Sequence, residues 1–332
     1  MRLNYVETQS KDAAFHFSLE EYIVQHFPFS EPVLMIWQAD KCVMLGNYQV
    51  AGAEIDLSCA KKEGIQIVRR SSGGGTIFTD LGTFLYTLIT PCAQELSVQQ
   101  ARNLIVDMVV RALSEMGVPA KFEGRNDITV GGKKISGLAQ YVKHGRICSH
   151  GSLLYDADLD MLTRVLRVDE EKIRSKAIRS VRSRVTNIKE HISPPLPAGV
   201  FLEQFKRNIF ECLNVQPYTL TENDLAQVDE IYRSKYGNPC WTLVHSPEFA
   251  FHSNKRFAGG KVEVFLNITG GKVTSCSIRG DFLGTVPIRR LEQLFEGRTF
   301  ERGEFESVLA GRSLQPYLGS ITTNELISCI FD

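Results

Sequence analysis

Two stretches of this chain hold residue types whose spacing could do chemistry. In RRSSGGGTIFTDLG, residues 69–82, Arg69, Arg70, Ser71 and Ser72 run into three consecutive glycines, Gly73, Gly74 and Gly75, between stretches that otherwise read as β-strand. Successive bare backbone N–H groups can form a nest for an anion, and an arginine beside them can pair two phosphate or carboxylate oxygens at once. A phosphate P-loop would need Lys followed by Ser or Thr after its glycines, and a helix opening at once; this segment has neither. The dinucleotide spacing G-x-G-x-x-G is also absent. From the glycines alone, an anion cradle and a tight structural corner both remain open.

The second stretch is GRNDITVGGKKISGLAQ, residues 124–140, in which Gly131-Gly132 suits a two-residue hairpin turn. Pairing Val130 with Lys133 across that turn sets Thr129 opposite Lys134, Ile128 opposite Ile135 and Asp127 opposite Ser136. Ile128, Val130 and Ile135 then share one face, and Asp127, Thr129, Lys134 and Ser136 share the other. Lys133, at the tip of the apolar face, can snorkel into water, so the pattern selects Lys134 as the functional amine.

The elements that must hold these stretches follow from periodicity. AAFHFSLEEYIVQHF reads as a helix, and PVLMIWQADKCVMLG as two short strands that the pattern joins in a hairpin. AEIDLSCAKKEGIQIVRR predicts a helix ended by Gly64 and then a strand. TFLYTLIT alternates as a strand up to Pro91, and SVQQARNLIVDMVVRALSEMGV is the strongest helix, with Gly117 beyond its end. ISPPLPAG is read as a loop inside the first domain, because FLEQFKRNIFECLNV resumes a helical pattern after it. The domain boundary is placed near NPCWTLVHSPEF, giving domains 1–245 and 246–332. The second is a small α+β unit with strands KVEVFLNIT and KVTSCSIRG and helices IRRLEQLFEG and RGEFESVLAG.

Composition bounds the function. The 332 residues suffice for a large core without staples, and 38 basic against 38 acidic residues leave no net field to gather nucleic acid or membrane, so any anion site is local. The eight cysteines show no C-x-x-C pair and read as reduced thiols. With acids near the N-terminus and no run approaching about 18 apolar residues, a cytoplasmic protein is expected. Cys148, two residues before His150, raises an acyl-thioester nucleophile, against which stands a buried strand thiol. The basic run KIRSKAIRSVRSRVTNIK, residues 172–189, invites a nucleic-acid reading but lacks aromatics for base stacking.

Four blocks, RRSSGGGTIFTDLG, GRNDITVGGKKISGLAQ, HGSLLYDADL and SKAIRSVRSRVTNI, resemble those of the lipoate-protein ligase A family, in the family's order and spacing, and the likeness covers nearly the whole chain. The resemblance implies an α/β (α+β) fold: a large catalytic domain like that of biotin and lipoate ligases, with a mixed, mainly antiparallel sheet, plus a small C-terminal domain. It implies that lipoate and ATP give lipoyl-AMP and pyrophosphate, and that the lipoyl group then moves to a lysine on lipoyl domains, such as those of the E2 subunits of 2-oxoacid dehydrogenases and the glycine cleavage H protein. Arg70, Gly75, Thr76, Ile77 and Phe78 match the nucleotide-binding run, with Ser72, Gly73, Gly74, Asn126 and Asp127 beside it. Lys134 matches the catalytic lysine that touches lipoate and phosphate; Gly137 and His150 are placed with it at the lipoate. Magnesium is expected with ATP, with Asp127 its candidate ligand, and the protein is expected to be a monomer without nucleic-acid or membrane partners. In the related octanoyltransferases a cysteine falls around the position of Arg125-Asn126, where this chain has none. An acyltransferase using a preformed donor is the alternative. Thr79 stands where many relatives have a histidine.

Overall fold

Strands β1 (Arg2–Val6), β2 (Val33–Trp37), β6 (Thr83–Pro91), β7 (Lys121–Glu123), β8 (Asp127–Val130), β9 (Lys133–Lys143), β10 (Arg146–Leu154) and β11 (Asn214–Tyr218) form one eight-stranded sheet, ordered β11-β1-β2-β6-β10-β9-β8-β7. β1 lies parallel to β11 and β2, and the remaining neighbours run antiparallel, so the sheet is mixed and mainly antiparallel as expected. The computed structural model describes residues 2–26, 31–49, 51–92, 96–166, 184–211, 213–242, 251–269 and 271–332.

β6 sits between β2 and β10, and all but its last residue are buried. Its alternation separates two cores rather than core from solvent. Phe84, Tyr86 and Leu88 pack with Ile105, Val109, Phe201 and Phe205 of the helices Val98–Glu115 and Ala198–Phe210. Leu85 and Ile89 pack with Phe17, Leu19 and Ile23 of helix α1 (Ala13–His26). Helix Val98–Glu115 opens with a reciprocal cap between Ser97 and Gln100. Beyond its end, Gly117 takes a φ of 78°.

The expected β2–β3 hairpin does not form. β2 stays in the large sheet, while β3 (Cys42–Leu45) pairs with β4 (Gln66–Arg69) and β5 (Ile77–Thr79) in a separate sheet ordered β4-β3-β5. Both strands are buried along their length, so each can be the centre of a different sheet, and residues 38–41 carry the chain between them.

The β8–β9 turn pairs Val130 with Lys133 and Thr129 with Lys134, as the glycines predict, but the register then shifts. Ile128 faces Ser136 and Asp127 faces Gly137, instead of Ile135 and Ser136. A bulge absorbs one extra residue on β9, which keeps both Ile128 and Ile135 in the core while re-aiming the residues beyond it.

The C-terminal strands β12 (Phe251–Phe257), β13 (Gly260–Thr269) and β14 (Lys272–Gly280) form an antiparallel sheet with its own core, where Val264, Ile278 and Leu291 pack with Phe295 and Phe305. The boundary expected at residues 245/246 lies outside the described residues. So does most of the basic run; within its described end, Lys189 pairs with Asp156 on the surface. No described helix is long and apolar enough to cross a membrane.

Candidate active site

The glycine segment is the connection between β4 and β5, both of which flank β3, so the chain must turn back sharply beside Leu45 and Gly46. Gly74 has a φ of 92°, and a Cβ on Gly46 would lie 2.0 Å from the Gly74 carbonyl oxygen. Two loops therefore pass main chain against main chain, which only glycine allows. On its other side the segment meets the C-terminal unit. The Gly74 N–H donates to the Phe282 carbonyl at 3.0 Å, and a Cβ on Gly73 would be 2.5 Å from the same oxygen. The closest approach to the bare main chain is thus made by protein, and the tight-corner explanation accounts for Gly46, Gly73 and Gly74. Gly75 has nothing within 4 Å of its missing Cβ and lines a cavity.

Arg70 braces this loop. Its guanidinium donates to the carbonyls of Met44 (2.9 Å), Gly73 (2.9 Å) and Gly75 (2.7 Å) and to Ser72 Oγ (3.0 Å). Burial draws its pKa down to about 10, which leaves it a cation at neutral pH. The fork expected to pair anionic oxygens is engaged with the loop, so what Arg70 supplies to the cavity is field and rigidity. Ser72 is fully buried; its Oγ lies 2.6 Å from His150 Nε2, and His150 Nδ1 lies 2.9 Å from Glu20. The order Arg70, Ser72, His150, Glu20 runs from obligate donor to obligate acceptor, which fixes the imidazole edge-on. Gln49 Oε1 accepts from the N–H of Gly46 and from Thr76 Oγ1, each at 2.8 Å, tying both sides of the loop together.

The cavity has a volume of about 140 Å³ and lies between the glycine segment, α1 and strands β2, β6, β9 and β10. Of the residues singled out in the sequence, Arg70, Gly74, Gly75, Thr76, Ile77, Asn126, Lys134, Gly137 and His150 line it. Phe78 does not, because its ring is buried in the core on the far side of β5, with Val43 and Leu45. The apolar face of Ile128 and Ile135 does not line it either, because both belong to the core under the helices. Phe17, Trp37, Met44, Leu85 and Tyr86 supply the wall instead. Periodicity reads these five as core residues, and nothing local separates a core face from a cavity wall.

Lys134 reaches the cavity from β9, whereas Lys133 is exposed at the turn. Its ammonium lies 2.7 Å from Asp127 Oδ1, with about a third of each side chain exposed. A Cβ on Gly137 would be 2.7 Å from Lys134 Nζ, so the bare Cα that the bulge sets opposite Asp127 makes room for the ammonium. Among the described residues Asp127 is the one carboxylate paired with this amine, and it belongs to no three-ligand cluster. That suits an ion carried in by phosphates, not a resident metal. Glu20, Cys148 and His150 do bring three donor atoms within 4.8 Å of one another, but Glu20 and His150 are committed to each other, and burial pushes the Cys148 thiol well above its ordinary range. Cys148 is fully buried and absent from the cavity lining, as a strand thiol would be.

The site thus joins an apolar-walled cavity to a cationic rim, an arrangement suited to an apolar acid whose carboxylate meets a second anion at Lys134. The description "Lipoyl protein ligase A/B catalytic domain" matches residues 12–212, and "Bacterial lipoate protein ligase C-terminus" matches residues 246–330. The lipoate-protein ligase LplJ of Bacillus subtilis (strain 168) is 34% identical over 331 residues, 98% of this chain and 99% of that protein. Among solved structures, a lipoate-protein ligase A bound with ATP superposes with a TM-score of 0.64 at 25% identity, covering 73% of this chain and 99% of that one. P. falciparum LipL1, solved with lipoate, shares the fold with a TM-score of 0.77 at 21% identity over 94% and 95% of the two chains.

Proposed function

The chain belongs to the lipoate-protein ligase family, and from that premise we propose that lipoyl-AMP forms in the cavity between the glycine segment and Lys134. The enzyme is an ATP-dependent ligase that activates lipoate as its adenylate and passes the lipoyl group to a lysine of a lipoyl domain. The E2 subunits of 2-oxoacid dehydrogenases and the glycine cleavage H protein are the proposed acceptors, met by a monomer.

The observation that carries the assignment of roles is the position of Lys134, the one lysine among the described residues that line this apolar-walled cavity, which Asn126, Gly75 and Thr76 also line. A lipoate carboxylate attacking the α-phosphate brings two anions together. An ammonium between them offsets their repulsion and stabilises the charge of the transition state without bond formation to the enzyme. Asp127 holds that ammonium in place until the anions enter. The Phe17, Trp37, Met44 and Leu85 wall takes the aliphatic chain, and Gly75, Thr76 and Ile77 lie along the nucleotide. Ser72, His150 and Glu20 hold the inner end rigid. Magnesium, held by Asp127 and the phosphates, would neutralise charge on the leaving group.

Incubation with lipoate, ATP, magnesium and radiolabelled pyrophosphate is expected to give lipoate-dependent exchange of label into ATP. Absence of exchange, with transfer proceeding from supplied lipoyl-AMP, would replace this reading by that of an acyltransferase acting on a preformed donor. Cys148, the thiol two residues before His150, is buried and absent from the cavity lining, which weighs against a thioester route through it.

A further inference from the structure

Arg70 and Ser72 are committed to the cavity side of the glycine segment, but their neighbours in the same block, Arg69 and Ser71, bond to the stretch that precedes the C-terminal unit. That stretch lies between residue 212, where the catalytic-domain match ends, and residue 246, where the C-terminal match begins. After the helix Glu222–Ile231 the chain widens into a π-helical turn, Tyr232–Tyr236, and then forms the short helix Pro239–Thr242. Lys235 Nζ donates to Ser71 Oγ at 2.9 Å, Ser71 Oγ lies 2.7 Å from the Tyr236 hydroxyl, and that hydroxyl donates to Glu21 Oε2 at 2.6 Å. Lys235 also pairs with Glu21 directly, and Lys143 donates to the other oxygen of that carboxylate at 2.8 Å. Burial alone would raise the Glu21 carboxyl, but Lys235, Lys143 and Tyr236 outweigh it and hold it at about 2, so at neutral pH Glu21 only accepts. A second chain of fixed polarity, Lys235 to Ser71 to Tyr236 to Glu21, thus runs beside Arg70 to Ser72 to His150 to Glu20, and two adjacent serines are tied to two adjacent carboxylates of α1.

Arg69 supplies a second tie to the same stretch. Its buried guanidinium donates to the carbonyls of Trp241 (3.2 Å) and Thr242 (3.0 Å) on one side and of Gly46 (2.9 Å) and Gln49 (2.6 Å) on the other, while Trp241 Nε1 donates back to the Arg69 carbonyl at 2.8 Å. Lys235 Nζ lies 4.3 Å from the centre of the Trp241 ring, which joins the two ties. Consecutive glycines lose more backbone freedom on ordering than any other residues and have no side chains with which to hold themselves, so their place is set by the anchors at either end. Beyond the glycines that anchor is Thr76 on Gln49; ahead of them it is this block. We propose that Lys235 and Tyr236 are positioning residues for the nucleotide: through Ser71 they fix the glycine segment in the arrangement that sets Gly75 and Thr76 along ATP, so the stretch between the two matched regions belongs to the working site. The inference rests on the adenylation reading above. Neither residue is among those described as lining the cavity, so both act through Ser71. Tyr236 also stacks on Phe17 of the apolar wall, with ring centres 5.8 Å apart, a contact that its ring makes without the hydroxyl. Tyr236→Phe therefore isolates the tie to Ser71.

The test uses the full chain and reads binding of ATP and of lipoate separately by calorimetry, in the wild type, Tyr236→Phe, Lys235→Met, Ser71→Ala and the double variant Ser71→Ala/Lys235→Met. Each single variant is expected to bind ATP about five- to tenfold more weakly while lipoate binding stays within about twofold, because only the glycine segment is released. The double variant should bind ATP no more weakly than the weaker of its two parents, since both changes break one tie. Unchanged ATP affinity in Tyr236→Phe would overturn the proposal, as would ATP and lipoate affinities that fall together, the mark of a general loss of packing. Effects of Ser71→Ala and Lys235→Met that multiply in the double variant would show that Lys235 does not act through Ser71 and would overturn it as well. If Lys235→Met does not fold, Tyr236→Phe, Ser71→Ala and their combination carry the same test. Pyrophosphate exchange on the same preparations keeps the adenylation reading separate: a wild type that binds ATP without lipoate-dependent exchange sinks that reading, while the ATP affinities of the variants still decide the positioning role. A wild type that binds no ATP overturns both.

Discussion

Replacing Lys134 by alanine should separate folding from chemistry, because the structure sets very different magnitudes for the two. In the free protein the ammonium pairs with Asp127 among the described residues, and about a third of each side chain is exposed. An ion pair between side chains exposed to that degree is worth about 0–1 kcal/mol. The melting temperature should therefore move by at most a few degrees. In the reaction the same ammonium faces two anions at the rim of an apolar-walled cavity, where one preorganised donor is worth roughly 3–4 kcal/mol of transition-state stabilisation. Single-turnover formation of lipoyl-AMP should fall about 100- to 1,000-fold. The assay mixes enzyme in excess with lipoate and ATP and quantifies the adenylate over time, with thermal unfolding followed on the same preparation. Lys133→Ala, at the exposed tip of the turn, serves as the matched control and should leave both readings near those of the wild type. A Lys134→Ala enzyme forming adenylate within about tenfold of the wild-type rate would refute the assigned role. A large loss of stability would show that the ion pair has a structural weight that its exposure does not explain.

Other expectations follow from the same geometry. Arg70→Lys removes a fork that serves three carbonyls and Ser72; with hydrogen bonds to charged donors worth about 1.5–3 kcal/mol each, urea unfolding should report a loss of about 3 kcal/mol or more, and an unchanged midpoint would show that the loop does not depend on it. Cys148→Ala should retain lipoate-dependent exchange and transfer, and iodoacetamide should leave Cys148 unlabelled in the folded protein; loss of transfer alone would revive a thioester role. Glu54 is raised to about 7, first by burial and then by Asp281, with Glu263 adding to the rise and Lys261 opposing it. Between about pH 4.5 and pH 7 the unfolded chain has released this proton and the folded one keeps it, so this group's contribution to stability declines as pH rises through that window and levels off above it. Denaturation midpoints of the wild type relative to Glu54→Gln should fall with that slope, and parallel pH profiles would show the carboxyl to be unperturbed.

Much of this protein was legible in its sequence because the determining physics is local. Glycines at 131 and 132 can take the positive φ angles, 58° and 76°, that a two-residue turn requires, and that turn alone fixes Val130 against Lys133 and so selects Lys134 over its neighbour. Ser97 and Gln100 can cap only the helix that follows them. The C-terminal strands and helices are read from periodicity in the same way, whereas the mixed sheet is an expectation that comes from the resemblance to the lipoate-protein ligase A family. What local pattern could not carry is whatever depends on a partner distant in the chain. β2 and β3 read as a hairpin because adjacency is the default, yet the partners that buried β3 are β4 and β5. The bulge past Thr129 left no mark in alternation, because it moves register without changing which residues are apolar. Most decisively, a bare main chain states only that something comes close. Tertiary structure decided that Phe282 of the C-terminal unit approaches Gly73 and Gly74, that Arg70 is occupied in bracing the loop, and that Phe17, Trp37, Met44 and Leu85 face a cavity and not a closed core. Spacing along a chain sets periodicity and turns, while the charge balance of a cavity is a sum over residues that only folding brings together.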